Sequence, residues 1–381
     1  MANTLTGLIS TIYEAVDIIG REMVGAIPAV SIDAAAESAA KDQVITFPIV
    51  PAVANSTPIT PGVFAPDSGD QAIGYDSMSI TKEQMVPVRW SANEQKALNK
   101  GGVRANIERD RFVQAMRTLV NEMESDILLA AKNGASRAYG TAGTAPFASA
   151  IADAAQLAKI LDDNGCPQDN QRSLIINSAA AVNLRSLTNL TSVYAAGTDQ
   201  TLRQGTILPL VGFDIKQSAK IANHIKGTGS AYVTSGITGS GVSDIALVSG
   251  ANPVLAGDIV TFAADANNKY VVKTGVAAAG TISLQKPGAI VTIATGNAMT
   301  IGNSYAANIG FHKGAIYLLT RTPAMPDEGD AADDVISITD PLTGIVFQVA
   351  MYKQYKQIHY EVGLAWGVKV VKPEFVATLL G

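Results

Sequence analysis

Residues 105–133, ANIERDRFVQAMRTLVNEMESDILLAAKN, have the pattern of one long helix, which we call the spine helix. No glycine or proline interrupts the stretch, and at 1.5 Å per residue it is predicted to be roughly 40 Å long. Asn106 is placed to cap its N-terminus, and Gly134 is placed to end it. Its apolar residues recur at helical spacing along one stripe, which we expect to face a sheet: Phe112, Met116, Leu119, Val120, Met123, Ile127 and Ala130.

The composition of the 381-residue chain is typical of a folded protein with wide contact surfaces. Hydrophobic residues make up 47% and charged residues 16%, with a net charge of -5. The hydrophobic content is enough for a large core, and the length is enough for about two domains. The low fraction of charged residues indicates that part of the surface is buried against other subunits. The absence of a basic run argues against sequence-specific nucleic-acid binding. No apolar run reaches membrane-spanning length and no signal peptide is recognisable, so we expect a soluble protein made in the cytoplasm, with no membrane partner.

The first hundred residues divide into two segments. Residues 1–41 are predicted to be a helical N-terminal arm, with helical spacing over residues 4–30 until Pro28 stops it. Residues 42–100 are predicted to contain a long hairpin-like loop, because two extended arms, Val44–Pro51 and Gln84–Trp90, flank a stretch dense in proline and glycine. Such a loop cannot bury much of itself, so it is either disordered or clamped by a neighbour.

The rest of the chain divides into three parts. Residues 101–227 contain the spine helix and then alternating helices and strands, which indicates a mixed α/β domain. Residues 228–307, which we call the β-module, have many glycines and short β-like runs, at 242–248, 258–263, 269–274, 280–285 and 289–294. We expect the β-module to be a small inserted barrel or sandwich, with a hairpin turn at Ala264–Asn268. Residues 308–381 are predicted to belong to the same α/β domain as residues 101–227. They include a long strand at 358–370, in which apolar residues alternate with other residues.

The sequence contains no recognisable catalytic, cofactor-binding or metal-binding motif, so no residues are predicted for such sites. His224, His312 and His359 lack the spacing of a zinc site, and the lone Cys166 excludes a disulfide framework within the chain. No nucleophile elbow or phosphate loop is present, and the glycines at 227, 229, 239 and 241 do not complete a dinucleotide loop. An acidic loop is the nearest thing to a cation site, although a solvated loop is favoured: Asp327, Glu328, Asp330, Asp333 and Asp334.

The order of elements resembles the tailed-bacteriophage major capsid proteins of the Hong Kong 97 fold. The inserted β-module makes the chain similar to the coat proteins of the short-tailed phage P-twenty-two type. Local sequence agrees with this resemblance at Arg172–Asn177, Leu202–Ile207 and Val211–Ile215. The stretches Asn308–Ala315 and Gly367–Glu374 are similar to the family's return from the insertion and its closing strand.

The resemblance implies an α+β fold with an N-terminal arm, an extended loop, a spine helix with a β-sheet, an axial α/β domain and an inserted β-domain. It implies a structural protein, not an enzyme, that forms the hexamers and pentamers of an icosahedral shell around double-stranded DNA. The implied partners are a scaffolding protein, a portal protein and non-specifically packaged DNA, in a virion assembled in the host cytoplasm. Assembly without maturation cleavage is expected, because no long charged helical segment precedes the arm. Two alternatives remain open: an encapsulin-like cellular shell protein and, more remotely, an enzyme with an accessory β-domain.

Overall fold

The computed structural model describes residues 8–22, 25–49, 61, 74–101, 104–192, 203–204, 209–326 and 329–381. In these residues, two large β-sheets and one long helix share the main hydrophobic core. The helices are α1 (Ile9–Glu22), α2 (Ala92–Gly101), α3 (Arg104–Gly134), α4 (Ala152–Asp163), α5 (Ser178–Ser186) and α6 (Thr188–Thr191). Short 3-10 turns lie at Ile27–Ala29, Lys313–Ala315 and Pro373–Phe375. No helix in these ranges is both long and apolar enough to cross a membrane.

The first sheet is built around the longest strand of the described chain. Its strands are β1 (Ser31–Ala39), β4 (Lys82–Ser91), β16 (Ile316–Pro323), β17 (Asp334–Thr339), β18 (Val346–Gln354) and β19 (Gln357–Val370). The order is β1-β16-β19-β18-β17, and β4 pairs with β19 in antiparallel register from Ser91 opposite Gln357 to Lys82 opposite Trp366. As predicted, the even-numbered residues of β19 form one apolar face, and Tyr360, Val362 and Leu364 enter the core. In the middle of the strand the other face is buried as well, because residues 362–367 are all buried.

The spine helix is α3, and its apolar stripe packs on both sheets. Phe112, Met116, Met123 and Ile127 are each 0% exposed and belong to the shared core. Burying a side chain of this size stabilises the fold by roughly 1.5–3 kcal/mol. The ring of Phe112 meets the ring of Tyr360 edge-on, with 5.5 Å between ring centroids. The stripe predicted from the sequence is therefore the face that joins the sheets, except at its C-terminal end, where Ala131 enters the core and the predicted Ala130 does not.

The second sheet contains the axial part of the chain and continues into the β-module. Its strands are β5 (Arg137–Tyr139), β6 (Arg172–Ile176), β7 (Asp214–Gln217), β8 (Asn223–His224), β9 (Val233–Thr234), β10 (Asp244–Val248), β11 (Ile259–Phe262), β12 (Asp265–Thr274), β13 (Gly280–Leu284), β14 (Met299–Ile301), β15 (Tyr305–His312) and β20 (Val376–Leu380). The main path is β7-β6-β15-β20-β5-β12-β13-β10-β9. A second core lies between this sheet and helices α4 and α5.

The β-module has a hydrophobic cluster of its own. Its buried members include Tyr232, Phe262, Tyr270 and Ile282. The module also joins the rest of the sheet, because β12 pairs with β5 at Lys269 opposite Ala138. The predicted pairing of β11 with β12 is present, but its turn is not at Ala264–Asn268. Phe262 pairs with Asp265, so Ala263 and Ala264 form the turn and Asn267 and Asn268 lie within β12.

Several local predictions are wrong. Asn106 does not cap the spine helix, because α3 already includes Arg104. In the arm, α1 ends at Glu22, and residues 31–39 form a strand that was not predicted; residues 1–7, 23 and 24 lie outside the described residues. The run at 289–294 forms only an isolated bridge between Thr238 and Ile293, whereas the unpredicted β14 takes the place in the sheet beside β11.

The hairpin is also built differently from the prediction. Its two arms are β2 (Val44–Ile49) and β3 (Gly74–Ser79), which pair from Val44 opposite Ser79 to Ile49 opposite Gly74. The stretch Gln84–Trp90, predicted as the second arm, belongs to β4 and pairs with β19. Most of the proline-rich and glycine-rich tip lies outside the described residues.

Candidate functional site

The root of the hairpin is fixed to the first sheet by one lysine. The ammonium group of Lys369 in β19 contacts the carboxylate of Asp76 and donates a 2.7 Å hydrogen bond to the carbonyl of Ser77. The hydrogen bond from Lys369 lowers the pKa of Asp76, against the opposing effect of burial. Beside this pair, the backbone of β19 lies very close to the end of β3. A Cβ atom at Gly367 would be only 2.0 Å from the Ser79 carbonyl oxygen. The root is therefore positioned by both charge and close backbone packing.

The hairpin buries some of its apolar side chains and exposes others. Met78 and Ile80 are buried in a small cluster with Ala39, Leu319 and Ala365. By contrast, Tyr75 is 78% exposed and Val44 is 59% exposed. Large apolar side chains that project from an anchored two-stranded ribbon are typical of a surface that another chain covers, since an isolated two-stranded ribbon has little stability of its own.

The spine helix and the first sheet are joined by a lysine between two carboxylates. Lys82 in β4 lies 2.9 Å from Glu122 and 3.0 Å from Asp126, both on the spine helix. Asp126 also accepts a 2.9 Å hydrogen bond from the indole N–H of the buried Trp366. Burial would lower the pKa of Lys82, but hydrogen bonds to Glu122 and Asp126 outweigh it and raise the pKa. These contacts fix the rotation of the helix about its axis relative to β19.

The N-terminal arm is docked on the spine helix through a glycine and a buried carboxylate. A Cβ atom at Gly25 would lie 2.0 Å from Oε1 of Glu124, so only glycine fits here without displacing that side chain. Nearer the N-terminus of the spine helix, Arg117 donates two hydrogen bonds, of 2.8 and 2.6 Å, to the carboxylate of Glu22 at the end of α1. Gly20 packs in the same way against the buried carboxylate of Asp340 in the turn between β17 and β18.

A buried histidine and aspartate join the β-module to the end of the spine helix. Asp258 is 0% exposed and lies 2.8 Å from Nε2 of His224, and it accepts hydrogen bonds from the backbone N–H groups of Gly227 and Leu255. The other ring nitrogen of His224 is 3.2 Å from Nζ of Lys132. Burial lowers the pKa of Lys132, opposed by the nearby charge of Asp258. A fully partnered polar cluster of this kind holds two segments in one orientation.

The histidines named in the sequence analysis lie apart and form no common site. His224 belongs to the junction just described, and His312 lies 3.1 Å from Asp169. His359 is buried against the ring of Tyr352, and neither of its ring nitrogens has a hydrogen-bond partner. Burial, together with the charge of Arg89, lowers the pKa of His359. Among the described residues, no group of three or more His, Cys, Asp or Glu side chains is placed to hold a metal ion.

The acidic loop and the cysteine are engaged in ordinary contacts. Asp330 accepts a hydrogen bond from the hydroxyl of Tyr352, and Asp333 lies 3.1 Å from Nζ of Lys353. Asp327 and Glu328 lie outside the described residues. Cys166 is buried, and burial raises the pKa of its thiol, which disfavours the reactive thiolate. The glycines at 227, 229, 239 and 241 lie between β8 and β10, and the element that follows them is a strand, not a helix.

Exposed apolar side chains also occur at the ends of both sheets. Tyr355, in the turn between β18 and β19, is 87% exposed, and Leu342, in the turn between β17 and β18, is 64% exposed. Ile225, just before the β-module, and Ile237, within it, are each 76% exposed. Sequence patterning missed these positions, because each lies in a turn or loop where no periodicity separates inside from outside.

Comparison with known proteins supports the fold. No protein-family model matches the chain, and no curated protein does. Among solved structures, it is similar to the capsid of the cyanophage P-SCSP1u, with a TM-score of 0.50 and 14% identity over 92% of this chain and 86% of that one. A virus-like particle from Pyrococcus furiosus has a TM-score of 0.46 at 10% identity, covering 97% of this chain and 98% of that one. The capsid of an empty GTA particle also has a TM-score of 0.46 at 10% identity, covering 94% and 89%.

The similarity to the cyanophage capsid concerns the fold. It extends over nearly the whole chain at low identity, so the two share an architecture with little sequence in common. The predicted α+β fold of the Hong Kong 97 type is thereby confirmed. The finer assignment to the P-twenty-two type, with an inserted β-domain, stays a prediction.

Proposed function

We propose that this chain is the major capsid protein of a tailed bacteriophage, a structural protein that assembles into the shell of the virion. The observation that carries the proposal is the shared fold with the capsid of the cyanophage P-SCSP1u over 92% of the chain. In this proposal, copies form the hexamers and pentamers of an icosahedral shell. The shell assembles in the host cytoplasm with a scaffolding protein and a portal protein and encloses double-stranded DNA.

The surface of the described residues supports contacts between copies. The hairpin projects from a root held by Lys369, and its exposed Tyr75 and Val44 are available to a neighbouring copy. Tyr355 and Leu342 offer further apolar contacts at opposite ends of β18 in the first sheet. With 16% charged residues, the chain has few groups that would need to be desolvated when wide surfaces meet.

The net charge of the chain also supports the proposed role as a shell that encloses DNA. The net charge is -5, so the shell as a whole repels the DNA backbone weakly and does not bind it tightly. In this proposal, the spine helix and the first sheet form a stiff plate, because Lys82, Asp126 and Trp366 fix the helix against β19. Such a plate can tilt as a unit when a shell changes size.

Electron microscopy of the chain expressed in bacteria tests the proposal. The expected result is closed shells or curved lattices, either from the chain alone or on co-expression with a scaffolding protein. Particles of this chain isolated from its natural source that contain packaged DNA favour the phage capsid, whereas particles filled with one cellular enzyme favour the encapsulin-like alternative. A chain that remains a monomer or small oligomer under both conditions contradicts the proposal.

A further inference from the structure

Four exposed cationic side chains lie on or beside α2, the helix between β4 and the spine helix: Lys96, Lys100, Arg111 and Lys356. We call them the basic cluster. Lys96 and Lys100 are one turn apart on α2, so their Cβ atoms are roughly 5–6 Å apart on one side of the helix. Lys356, in the turn between β18 and β19, is next to the start of α2, because its carbonyl accepts a 3.0 Å hydrogen bond from the backbone N–H of Ala92. The helix is held in place by Leu98, which packs against the shared core.

Two members of the basic cluster lie against aromatic rings. The guanidinium group of Arg111, on the spine helix, lies over the ring of Trp90, 5.4 Å from the ring centroid. Trp90 is two residues before α2 begins, so Arg111 lies beside the same end of α2 as Lys356. Nζ of Lys356 is 5.4 Å from the centroid of the Tyr355 ring. A ring face positions a cation without neutralising its charge, so both charges are available to an anionic partner.

The acidic side chains near the basic cluster already have partners. Glu94 closes the N-terminus of α2, because its carboxylate accepts 2.8 Å hydrogen bonds from the backbone N–H and the hydroxyl of Ser91. Two further carboxylates are held in ion pairs, Glu108 with Arg104 at 2.6 Å and Asp110 with Arg109 at 3.0 Å. Residues 92–111 carry five cationic and three acidic side chains, whereas the whole chain has a net charge of -5. Positive charge is therefore concentrated around α2.

The rest of the α2 surface restricts the class of partner. Among the described side chains of α2, no large apolar group is exposed, and Asn93 and Asn99 are exposed beside the two lysines. A protein partner usually buries apolar and aromatic side chains at the centre of its interface. Phosphate oxygens, by contrast, accept hydrogen bonds from lysine, arginine and asparagine side chains. The surface of α2 therefore fits the backbone of a nucleic acid better than it fits a protein.

We infer that the basic cluster binds the phosphate backbone of double-stranded DNA without reading its base sequence. The inference rests on the proposed function, in which the shell encloses DNA. One copy contributes only a few phosphate contacts, and the net charge of -5 opposes them, so binding by a single chain is weak. Many copies that face one DNA molecule add their contacts, because each bound copy holds the DNA close to the next. The DNA is thereby held at discrete points of a shell whose overall charge repels it.

A binding assay with the unassembled, full-length chain tests the inference without requiring a shell. The affinity for a fluorescent duplex of about 30 base pairs is measured by anisotropy, from about 50 to 200 mM salt, for the wild type and for Lys96→Gln/Lys100→Gln. Glutamine removes the charge and has nearly the helix propensity of lysine, so α2 should be retained. The matched control, Lys41→Gln/Lys159→Gln, removes two exposed lysines in the turn after β1 and on α4.

The wild type should bind the duplex with an affinity that falls steeply as the salt concentration rises. Loss of two phosphate contacts should reduce the slope of log K against log salt by about two and weaken binding about ten-fold at about 50 mM salt. The control should stay within about two-fold of the wild type, because its two lysines lie outside the basic cluster. A wild type that does not bind the duplex overturns the inference, and so does an equal loss of affinity in both double variants.

A competitor separates DNA from an acidic protein as the partner. Unlabelled duplex should displace the labelled duplex, whereas poly-glutamate at the same concentration of charge should displace much less, because duplex DNA carries charge more densely and releases more counterions. Equal displacement would assign the basic cluster to an acidic polypeptide and overturn the inference. Because the assay needs no particles, a chain that binds the duplex but forms no shell contradicts the proposed function alone.

Discussion

The backbone N–H of Ala26 donates a 3.3 Å hydrogen bond to the carboxylate of Glu124, which lies 98 positions further along the chain. The same carboxylate oxygen accepts a 2.5 Å hydrogen bond from the hydroxyl of Ser218. One buried side chain on the spine helix therefore joins the N-terminal arm to the segment that leads into the β-module. Because Glu124 is 9% exposed, its oxygens depend on these donors in place of water.

Gly25→Ala tests this three-way contact. The new Cβ would lie 2.0 Å from Oε1 of Glu124, so the carboxylate must move away from Ala26 and Ser218. We expect the free energy of unfolding to fall by about 1–3 kcal/mol, the cost of leaving buried donors unpaired, as measured by chemical denaturation. The control is Gly280→Ala, where the nearest atom outside the adjacent residues would be a Val276 methyl group at 3.5 Å. Equal effects of the two substitutions would refute the assignment.

Met123→Asp tests the role of the spine helix. Met123 is 0% exposed in the shared core, so an aspartate there is buried without a partner and should cost several kcal/mol. We expect loss of soluble protein or a strongly lowered thermal midpoint. Leu129→Asp, on the same helix at a 51% exposed position, should be tolerated. Soluble, shell-forming Met123→Asp protein would show that this face of the helix is not the core face.

Lys369→Met tests the anchor of the hairpin. Removing the ammonium group frees Asp76 and the Ser77 carbonyl, so the amides of β3 should exchange hydrogen with solvent faster than in the wild type, while β18 is unaffected. Lys369→Arg should keep most of the protection.

Because the pKa of Asp76 is lowered in the folded chain, the ion pair is fully present above the ordinary pKa of 3.8 and is lost as the pH falls through the folded value. The difference between wild type and Lys369→Met should therefore persist at pH 7 and disappear only in strong acid.

His359→Phe tests the effect of a buried, unpartnered imidazole. The pKa of His359 is lowered in the folded chain, so the unfolded chain binds a proton more readily and stability is lost as the pH falls below the ordinary value of 6.5. Phenylalanine keeps the ring contact with Tyr352 and cannot be protonated. The fall in thermal midpoint between pH 7.5 and pH 5 should be smaller for His359→Phe than for the wild type. The same fall in both proteins would show that His359 does not contribute to the acid sensitivity.

The isolated segment 228–307 tests whether the β-module is an independent domain. Its own cluster around Tyr232, Phe262 and Tyr270 supports folding alone, whereas the pairing of β12 with β5 would be lost. We expect dispersed amide NMR peaks and a β-type circular dichroism spectrum. A disordered spectrum would show that the β-module needs the second sheet, and the prediction of an inserted domain would lose its main support.

The elements that the sequence predicted well depend on neighbours close in the chain. The spine helix has an apolar stripe that repeats every three to four residues, and β19 alternates over its whole length, so both patterns are complete within one stretch. The same is true of the β11–β12 hairpin, although its turn is shorter than Ala264–Asn268 because Phe262 already pairs with Asp265.

Tertiary structure alone decided the pairings between distant segments. The alanine-rich stretch Ser31–Ala39 has little strand propensity, and it is a strand because it lies parallel to β16. The sequence of Gln84–Trp90 indicates an extended strand, and that pattern is the same for a partner within the hairpin and for β19. Only the contacts of the folded chain show that its partner is β19. The glycine at position 25 is needed because Glu124 lies against it. Strand partners and close approaches depend on contacts between residues far apart in sequence, whereas periodicity reports only which face of an element is buried.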